Sequence, residues 1–75
     1  MINNLEAYKV FYYVAKCGSV TKAAGELSIS QPAVSQAIKQ LENTLDVALF
    51  HRAAKGVRLT SEGELLYSYV AKGYE

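Results

Sequence analysis

A short break between two helical patterns limits the folds that are open to this chain. Only the segment 28–30 separates the apolar positions of one helix from those of the next, which leaves room for a tight turn and nothing longer. Pro32 then fits the first turn of the following helix, where its missing N–H costs no hydrogen bond. Apolar residues recur after it at spacings of four, three and four, which predicts one buried helix face. These residues are Val34, Ile38, Leu41 and Leu45.

Start and stop residues predict two more helices before the break. The first is expected to begin with a capping box formed by Asn3 and Glu6 and to stop at Gly18. Its apolar positions at helical spacing are Leu5, Tyr8, Phe11, Tyr12 and Ala15. Ser19 is placed to cap a short second helix. The alanine pair at 23–24 would let another helix approach that helix closely.

A two-stranded wing is predicted at about residues 49–60. Two short runs, 48–52 and 57–60, flank a turn that contains Gly56. Each run has a leucine that can point inward and an arginine that can point outward. These residues are Leu49 with Arg52 and Leu59 with Arg58.

A fourth helix is predicted after the wing. Thr60 or Ser61 can cap it, and Ser61 with Glu64 has the spacing of a capping box. Its apolar stripe consists of Leu65, Leu66, Tyr69 and Val70. Because the pattern is still helical at the last residue, we expect residues 61–75 to be the start of a linker helix after a domain formed by residues 1–60. The chain is therefore expected to be a fragment of something longer.

These elements together predict a mainly α fold. It is a winged helix-turn-helix with a three-helix core, a two-stranded β-wing and the start of a C-terminal linker helix. The 75 residues, 51% of them apolar, suffice for one domain. No apolar run reaches the roughly 20 residues that span a bilayer, and the N-terminus lacks the order of a signal peptide. We therefore expect a cytoplasmic location and no membrane partner.

The residues that catalysis or metal binding require are scarce. The chain has one cysteine, Cys17, and one histidine, His51, and no motif that pairs them. A single cysteine cannot form an internal disulfide, and no cluster has the spacing of metal ligands. We therefore expect no enzyme activity, no metal and no cofactor.

The distribution of charge is more informative than its total of +1. The segment 47–60 contains no acidic residue, and acidic residues gather instead at 42–46 and 62–64. The basic residues and the histidine of the segment are His51, Arg52, Lys55 and Arg58. A cationic strand and loop is therefore predicted, with the acidic stretches facing away from phosphate.

The outward face of the third helix, about residues 31–45, is polar and begins without an acidic residue. The major groove of DNA admits one helix, and a glutamine there can bond adenine through two atoms. The candidate base contacts are Gln31, Pro32, Ala33, Ser35 and Gln36. The candidate contacts to the DNA backbone are Thr21, Lys22 and Lys39 on helices, and Arg52, Lys55 and Arg58 on the wing.

Other interpretations of the same residues remain open. The polar positions can be ordinary solvated residues of an amphipathic helix, which is the interpretation we favour for Gln40 and Asn43. The wing can be a structural hairpin rimmed by charge, and His51 a packed edge residue. A winged helix can also serve protein contacts alone, which would resist salt in a way that phosphate contacts do not.

Five stretches of the chain together match a known pattern. They are Gly18 to Ala24, Leu27 to Gln36, Ile38 with Leu41 and Glu42, Leu49 to Arg52, and Leu59 to Glu64. From Leu5 through Leu66 the chain resembles the N-terminal domain of LysR-type transcriptional regulators. The resemblance implies a bacterial transcription regulator that binds double-stranded DNA. It also implies a C-terminal effector-binding domain, absent from this chain, to which a small-molecule inducer would bind.

The resemblance also implies roles for particular residues. In that family the positions that match Gln31, Pro32, Ser35 and Gln36 face the groove, and the position that matches Arg52 lies at the wing. Many members carry arginine in place of Gln36, so the base read there stays open, because arginine prefers guanine and glutamine prefers adenine. Paired linker helices imply a homodimer or higher oligomer on an inverted repeat. The apolar stripe of the fourth helix is the expected contact between copies of the chain, although it can also pack onto the first helix of its own chain.

Overall fold

A computed structural model describes residues 4–74. Within that range the elements are α1 (Asn4–Cys17), α2 (Val20–Leu27), α3 (Gln31–Leu45), β1 (Phe50–Ala53), β2 (Gly56–Leu59) and α4 (Ser61–Tyr74). The two strands form one antiparallel sheet, so the predicted fold class is confirmed. The predicted cap at Asn3 lies outside the described residues. No helix of the described range combines the length and apolar character that crossing a membrane requires.

The break between α2 and α3 is a tight turn, as predicted. Ser28 adopts a left-handed φ of 57°, and its N–H donates to the carbonyls of Ala24 and Gly25 at the end of α2. The Ser30 hydroxyl then accepts a hydrogen bond from the Ala33 N–H at 3.2 Å. Because both helix ends are capped within three residues, local hydrogen bonds set where α2 ends and where α3 begins.

The core lies between α1, α2 and α3. Its largest fully buried side chains are Phe11, Leu41, Leu49, Val10, Val14 and Val34. On α2 the buried residues are the pair Ala23 and Ala24, and their small side chains let the helix pack closely against this cluster. Burial of a large apolar side chain contributes about 1.5–3 kcal/mol. The three helices are therefore held mainly by this cluster.

The buried face of α1 differs from the predicted stripe. Phe11 and Tyr12 are buried as predicted, but Leu5 is 80% exposed, whereas Val10 and Val14 are among the most buried residues. The prediction was wrong because α1 is apolar on nearly all sides, so periodicity could not select one face. The α3 stripe is correct except at its end, where Leu45 is partly exposed.

The wing is a short hairpin whose strands are shifted from their predicted positions. Phe50 lies opposite Leu59 in the antiparallel register. Leu49 precedes β1 as a core residue, and Thr60 follows β2. Thr60 closes the base of the hairpin, because its N–H donates to the Leu49 carbonyl at 3.0 Å and its hydroxyl donates to the Ala48 carbonyl at 2.6 Å.

The tip of the wing rests on the corner between α1 and α2. The Val57 N–H donates to the carbonyl of Gly18 at 3.1 Å. Gly56 has a φ of 107°, and a Cβ atom added there would collide with the Gly18 carbonyl. Position 56 therefore requires glycine for both its conformation and its close approach to backbone.

The fourth helix begins at one of the two caps that the sequence allows. Thr60 is the cap, because its hydroxyl accepts a hydrogen bond from the Gly63 N–H at 3.0 Å. The predicted capping box of Ser61 with Glu64 does not form, and the Ser61 hydroxyl instead donates to Glu62. Thr60 is favoured over Ser61 as the cap because its hydroxyl also donates a hydrogen bond at the base of the wing.

The apolar stripe of α4 divides between the core and the surface. Leu66 and Val70 pack against the core, together with Tyr67. The Tyr67 ring stacks on Tyr12 of α1, with ring centroids 5.6 Å apart and an angle of 8° between the planes. The other two members of the stripe remain outward, with Leu65 62% and Tyr69 67% exposed. One side of helix α4 therefore packs on the domain, and the other side is exposed.

The Gly56→Ala substitution should destabilise the domain by about 2 kcal/mol or more, because it adds a side chain where φ is positive and backbone is in contact. Gly25→Ala is the matched control: position 25 is helical and a Cβ there meets nothing within 4 Å. It should gain about 0.5–1 kcal/mol from its higher helix propensity. Urea unfolding measures the stability of both variants. Equal unfolding midpoints would contradict the close backbone contact at the wing tip.

Candidate nucleic-acid interface

The outward face of α3 is not covered by any other described part of the chain. The exposed residues of α3 up to position 39 are Gln31, Pro32, Ser35, Gln36 and Lys39, and Ala33 is half-buried. The side chains of Gln31, Ser35 and Gln36 make no hydrogen bond to another described residue. Their donors and acceptors are therefore available to an external partner.

Local sequence explains why this face is presented. Val34, Ala37, Ile38 and Leu41 are buried on the opposite side of α3. Ser30 caps the helix, Pro32 lies in its first turn, and no acidic residue is found in that turn. The start of a helix carries a partial positive charge that favours anions nearby. The amino-terminal half of α3 is consequently polar, exposed and free of negative side chains.

The polar surface continues along the second half of the helix. A shallow hollow there is lined by Gln36, Lys39, Gln40, Asn43 and Thr44. Gln40 is half-buried and Asn43 is exposed. The Thr44 hydroxyl donates to the Gln40 carbonyl within the helix at 2.9 Å. Nothing in the protein distinguishes these residues from ordinary solvated positions, which remains our interpretation for Gln40 and Asn43.

A cleft between α3 and the wing brings several predicted contact residues together. Thr21 on α2, Gln31 and Ser35 on α3, and Arg52 on β1 all line it. All four are exposed, as is the adjacent Lys22. The structure therefore places an arginine of the wing beside the polar face of the helix.

The two arginines of the wing lie on opposite faces of the hairpin. Arg52 is paired with Val57, whereas Arg58 is paired with His51. Because directly paired residues share a face and neighbours along a strand alternate, Arg58 faces away from the cleft. It lines a separate hollow together with Glu64. Both arginines are exposed, as predicted, but only Arg52 is placed next to α3.

The remaining wing residues named by the sequence are also exposed. Lys55 lies in the turn that joins β1 to β2. His51 is exposed, which argues against the alternative that it is a packed edge residue. Its ring Nδ1 lies 3.4 Å from the Arg52 carbonyl. The wing therefore presents cationic side chains at its tip and on both faces.

Glu42 of α3 has a structural role that the sequence interpretation missed. Its carboxylate Oε2 accepts hydrogen bonds from the N–H groups of Leu49 and Phe50, at 2.7 and 3.3 Å. A signal for this role exists in the sequence. Glu42 lies one helical turn after the buried Ile38, on the side that an amphipathic helix keeps apolar. An acidic residue there needs a hydrogen-bonding partner in the protein.

The described elements define a winged helix-turn-helix domain: α2 and α3 are joined by a tight turn, and a two-stranded wing packs beside α3. Residues 5–64 match the model of a family described as bacterial regulatory helix-turn-helix protein, lysR family. The match covers most of the chain. This protein therefore belongs to the lysR family of bacterial regulatory proteins, as the sequence motifs indicated.

Similar proteins agree with this assignment. The transcriptional regulator PerR of Escherichia coli K12 is 40% identical over 70 residues, which are 93% of this chain and 24% of PerR. GltR of Bacillus subtilis is 42% identical over 69 residues, which are 92% of this chain and 23% of GltR. The chain thus spans about a quarter of the length of these relatives.

The fold is shared with a solved structure. It is the complex of the BenM DNA-binding domain with catB site 1 DNA. That structure superimposes with a TM-score of 0.89 at 36% identity, over 96% of this chain and 81% of the other. The relatives are transcriptional regulators. In residues 4–74 no three His, Cys, Asp or Glu side chains are grouped so that they could hold a metal ion.

Proposed function

We propose that this chain is the DNA-binding domain of a bacterial transcription regulator and is not an enzyme. Helix α3 enters the major groove of double-stranded DNA, and the wing lies against the backbone or the minor groove. The observation that carries the proposal is the uncovered, acid-free polar face of α3 beside Arg52. The solved complex of the BenM domain with DNA supports it by similarity.

The two halves of the interface have different tasks. Base edges are contacted by the residues at the start of α3. These are Gln31, Ser35 and Gln36, with Pro32 and Ala33 offering apolar surface to a thymine methyl group. Glutamine at position 36 favours adenine, since its amide can donate to and accept from one adenine edge. Thr21, Lys22 and Lys39 contact phosphates, which position the helix without reading sequence.

The wing supplies the remaining backbone contacts. Arg52 contacts the strand that passes the cleft beside α3, and Lys55 contacts backbone from the tip. Arg58 lies on the other face of the hairpin. A wing that enters the minor groove presents both faces to phosphates, so Arg58 contacts the opposite strand.

The whole protein is proposed to act as a homodimer or higher oligomer on an inverted repeat. One recognition helix reads few base pairs, and two half-sites about one turn apart multiply the discrimination. The outward part of the α4 stripe, Leu65 and Tyr69, is the proposed contact between copies, with Leu66 and Val70 packed behind it. We place the protein in the cytoplasm, with residues 61–75 beginning a linker to a domain that binds a small-molecule inducer.

A selection of bound duplexes from a random pool tests the function. We expect an enriched motif, because the α3 side chains read base edges. We also expect affinity for the enriched duplex to fall steeply with salt, with a slope of about −0.9 in log K against log[salt] for each neutralised phosphate. If no motif is recovered and the chain shows no salt-sensitive binding to duplexes, the result would instead support a winged helix that serves protein contacts.

Substitutions on α3 separate base reading from positioning. Gln36→Ala should change which selected duplex is preferred, because it removes a base-reading amide. Lys39→Ala should weaken binding to all duplexes alike, because it removes a phosphate contact. The salt slope should also become smaller by about 0.9. Titrations of each variant against the enriched duplex and a shuffled duplex measure both effects. Equal and unselective losses from both substitutions would contradict these roles.

A further inference from the structure

The wing is joined to the recognition helix by one acidic side chain. Glu42 projects from α3, is half-buried, and accepts both the Leu49 and the Phe50 N–H groups at the entrance to β1. Hydrogen bonds to a charged acceptor are roughly twice as strong as neutral ones. The start of β1 is therefore tied to α3 itself rather than to a loop.

This tie lies close to the arginine of the cleft. Arg52 follows Phe50 by two residues, so both side chains point to the same face of β1. Ser35, Lys39 and Glu42 of α3 line one groove together with Phe50. The hydrogen bonds of Glu42, together with the burial of Leu49 in the core, therefore hold the entrance of β1 next to α3.

The other attachments of the wing do not replace this one. Val57 is bonded to the Gly18 carbonyl, and Thr60 closes the base of the hairpin. Both hold β2 or the base of the hairpin. Without the Glu42 carboxylate, the N–H groups of Leu49 and Phe50 would lose their hydrogen bonds to α3. The start of β1 would then be held by the apolar packing of these two side chains, which is less directional than a hydrogen bond.

We infer that Glu42 is a positioning residue for DNA binding, which holds Arg52 at the strand that α3 contacts. The inference rests on the proposed function. For removal of the Glu42 carboxylate, it predicts a change in DNA affinity opposite in sign to the change that simple electrostatics predicts. Removal of a negative charge near DNA should strengthen binding, whereas removal of the acceptor that positions Arg52 weakens it. The charge and the acceptor can be separated by substitution.

The test compares two variants that both remove the negative charge of Glu42. Glu42→Met keeps the length of the side chain but has no oxygen acceptor, and Glu42→Gln keeps an oxygen that can accept from Leu49 or Phe50. Binding is titrated over a salt series with the duplex enriched from the random pool. We expect Glu42→Met to bind roughly fivefold more weakly at physiological salt, with a slope reduced by about 0.9, the share of one phosphate. Glu42→Gln should remain close to the original chain.

A double-mutant cycle with Arg52→Ala completes the test. Arg52→Ala alone should reduce the slope by about 0.9 with little change in melting temperature, and adding Glu42→Met should reduce the slope no further. A merely structural role would lower the folded fraction, which circular dichroism reports, and leave the slope unchanged. The inference is overturned if both Glu42 variants bind alike, or if Glu42→Met and Arg52→Ala act additively. Failure of the original chain to bind DNA would instead overturn the proposed function.

Discussion

The packing of α3 onto α1 and α2 decides which side of α3 remains available to a partner. Val34, Ile38 and Leu41 are buried in the core, and the period of the helix then directs Ser35 and Gln36 outward. The cap at Ser30 sets where the helix begins. The packed core and this cap hold the backbone of α3 in place before any ligand arrives, which reduces the entropy lost on binding.

The wing packs on the core through Phe50, Val57 and Leu59, and hydrogen bonds at three places also hold it. The Glu42 carboxylate binds the entrance of β1, the Gly18 carbonyl receives the tip, and Thr60 joins the base of the hairpin to the start of α4. Thr60 serves both the wing and the fourth helix, so α4 is linked to the same frame. A dimer built through α4 would therefore fix the spacing of two recognition helices, because each helix is connected to its α4 through packed elements and not through a flexible linker.

Sequence patterns predicted the parts of the fold that depend on local chemistry. The bounds of α3 and the cap at Ser19 follow from signals within a few residues, and the structure confirms them. Positions that depend on distant neighbours were predicted less well. The buried face of α1 was misjudged because that helix is apolar on most sides. The separation of Arg52 from Arg58 depends on strand register, and the role of Glu42 depends on backbone seven residues away.

The proposed role of α3 requires that its bare face meet the bases, and the side-chain amides of Gln31 and Gln36 report on this contact. Nuclear magnetic resonance of the nitrogen-labelled chain can follow these amide signals as an enriched duplex is added. We expect both amide signals to shift strongly and to saturate together with the backbone signals of α3. Unchanged amide signals, with the largest shifts around Leu65 and Tyr69 on α4, would show that α3 does not meet the bases.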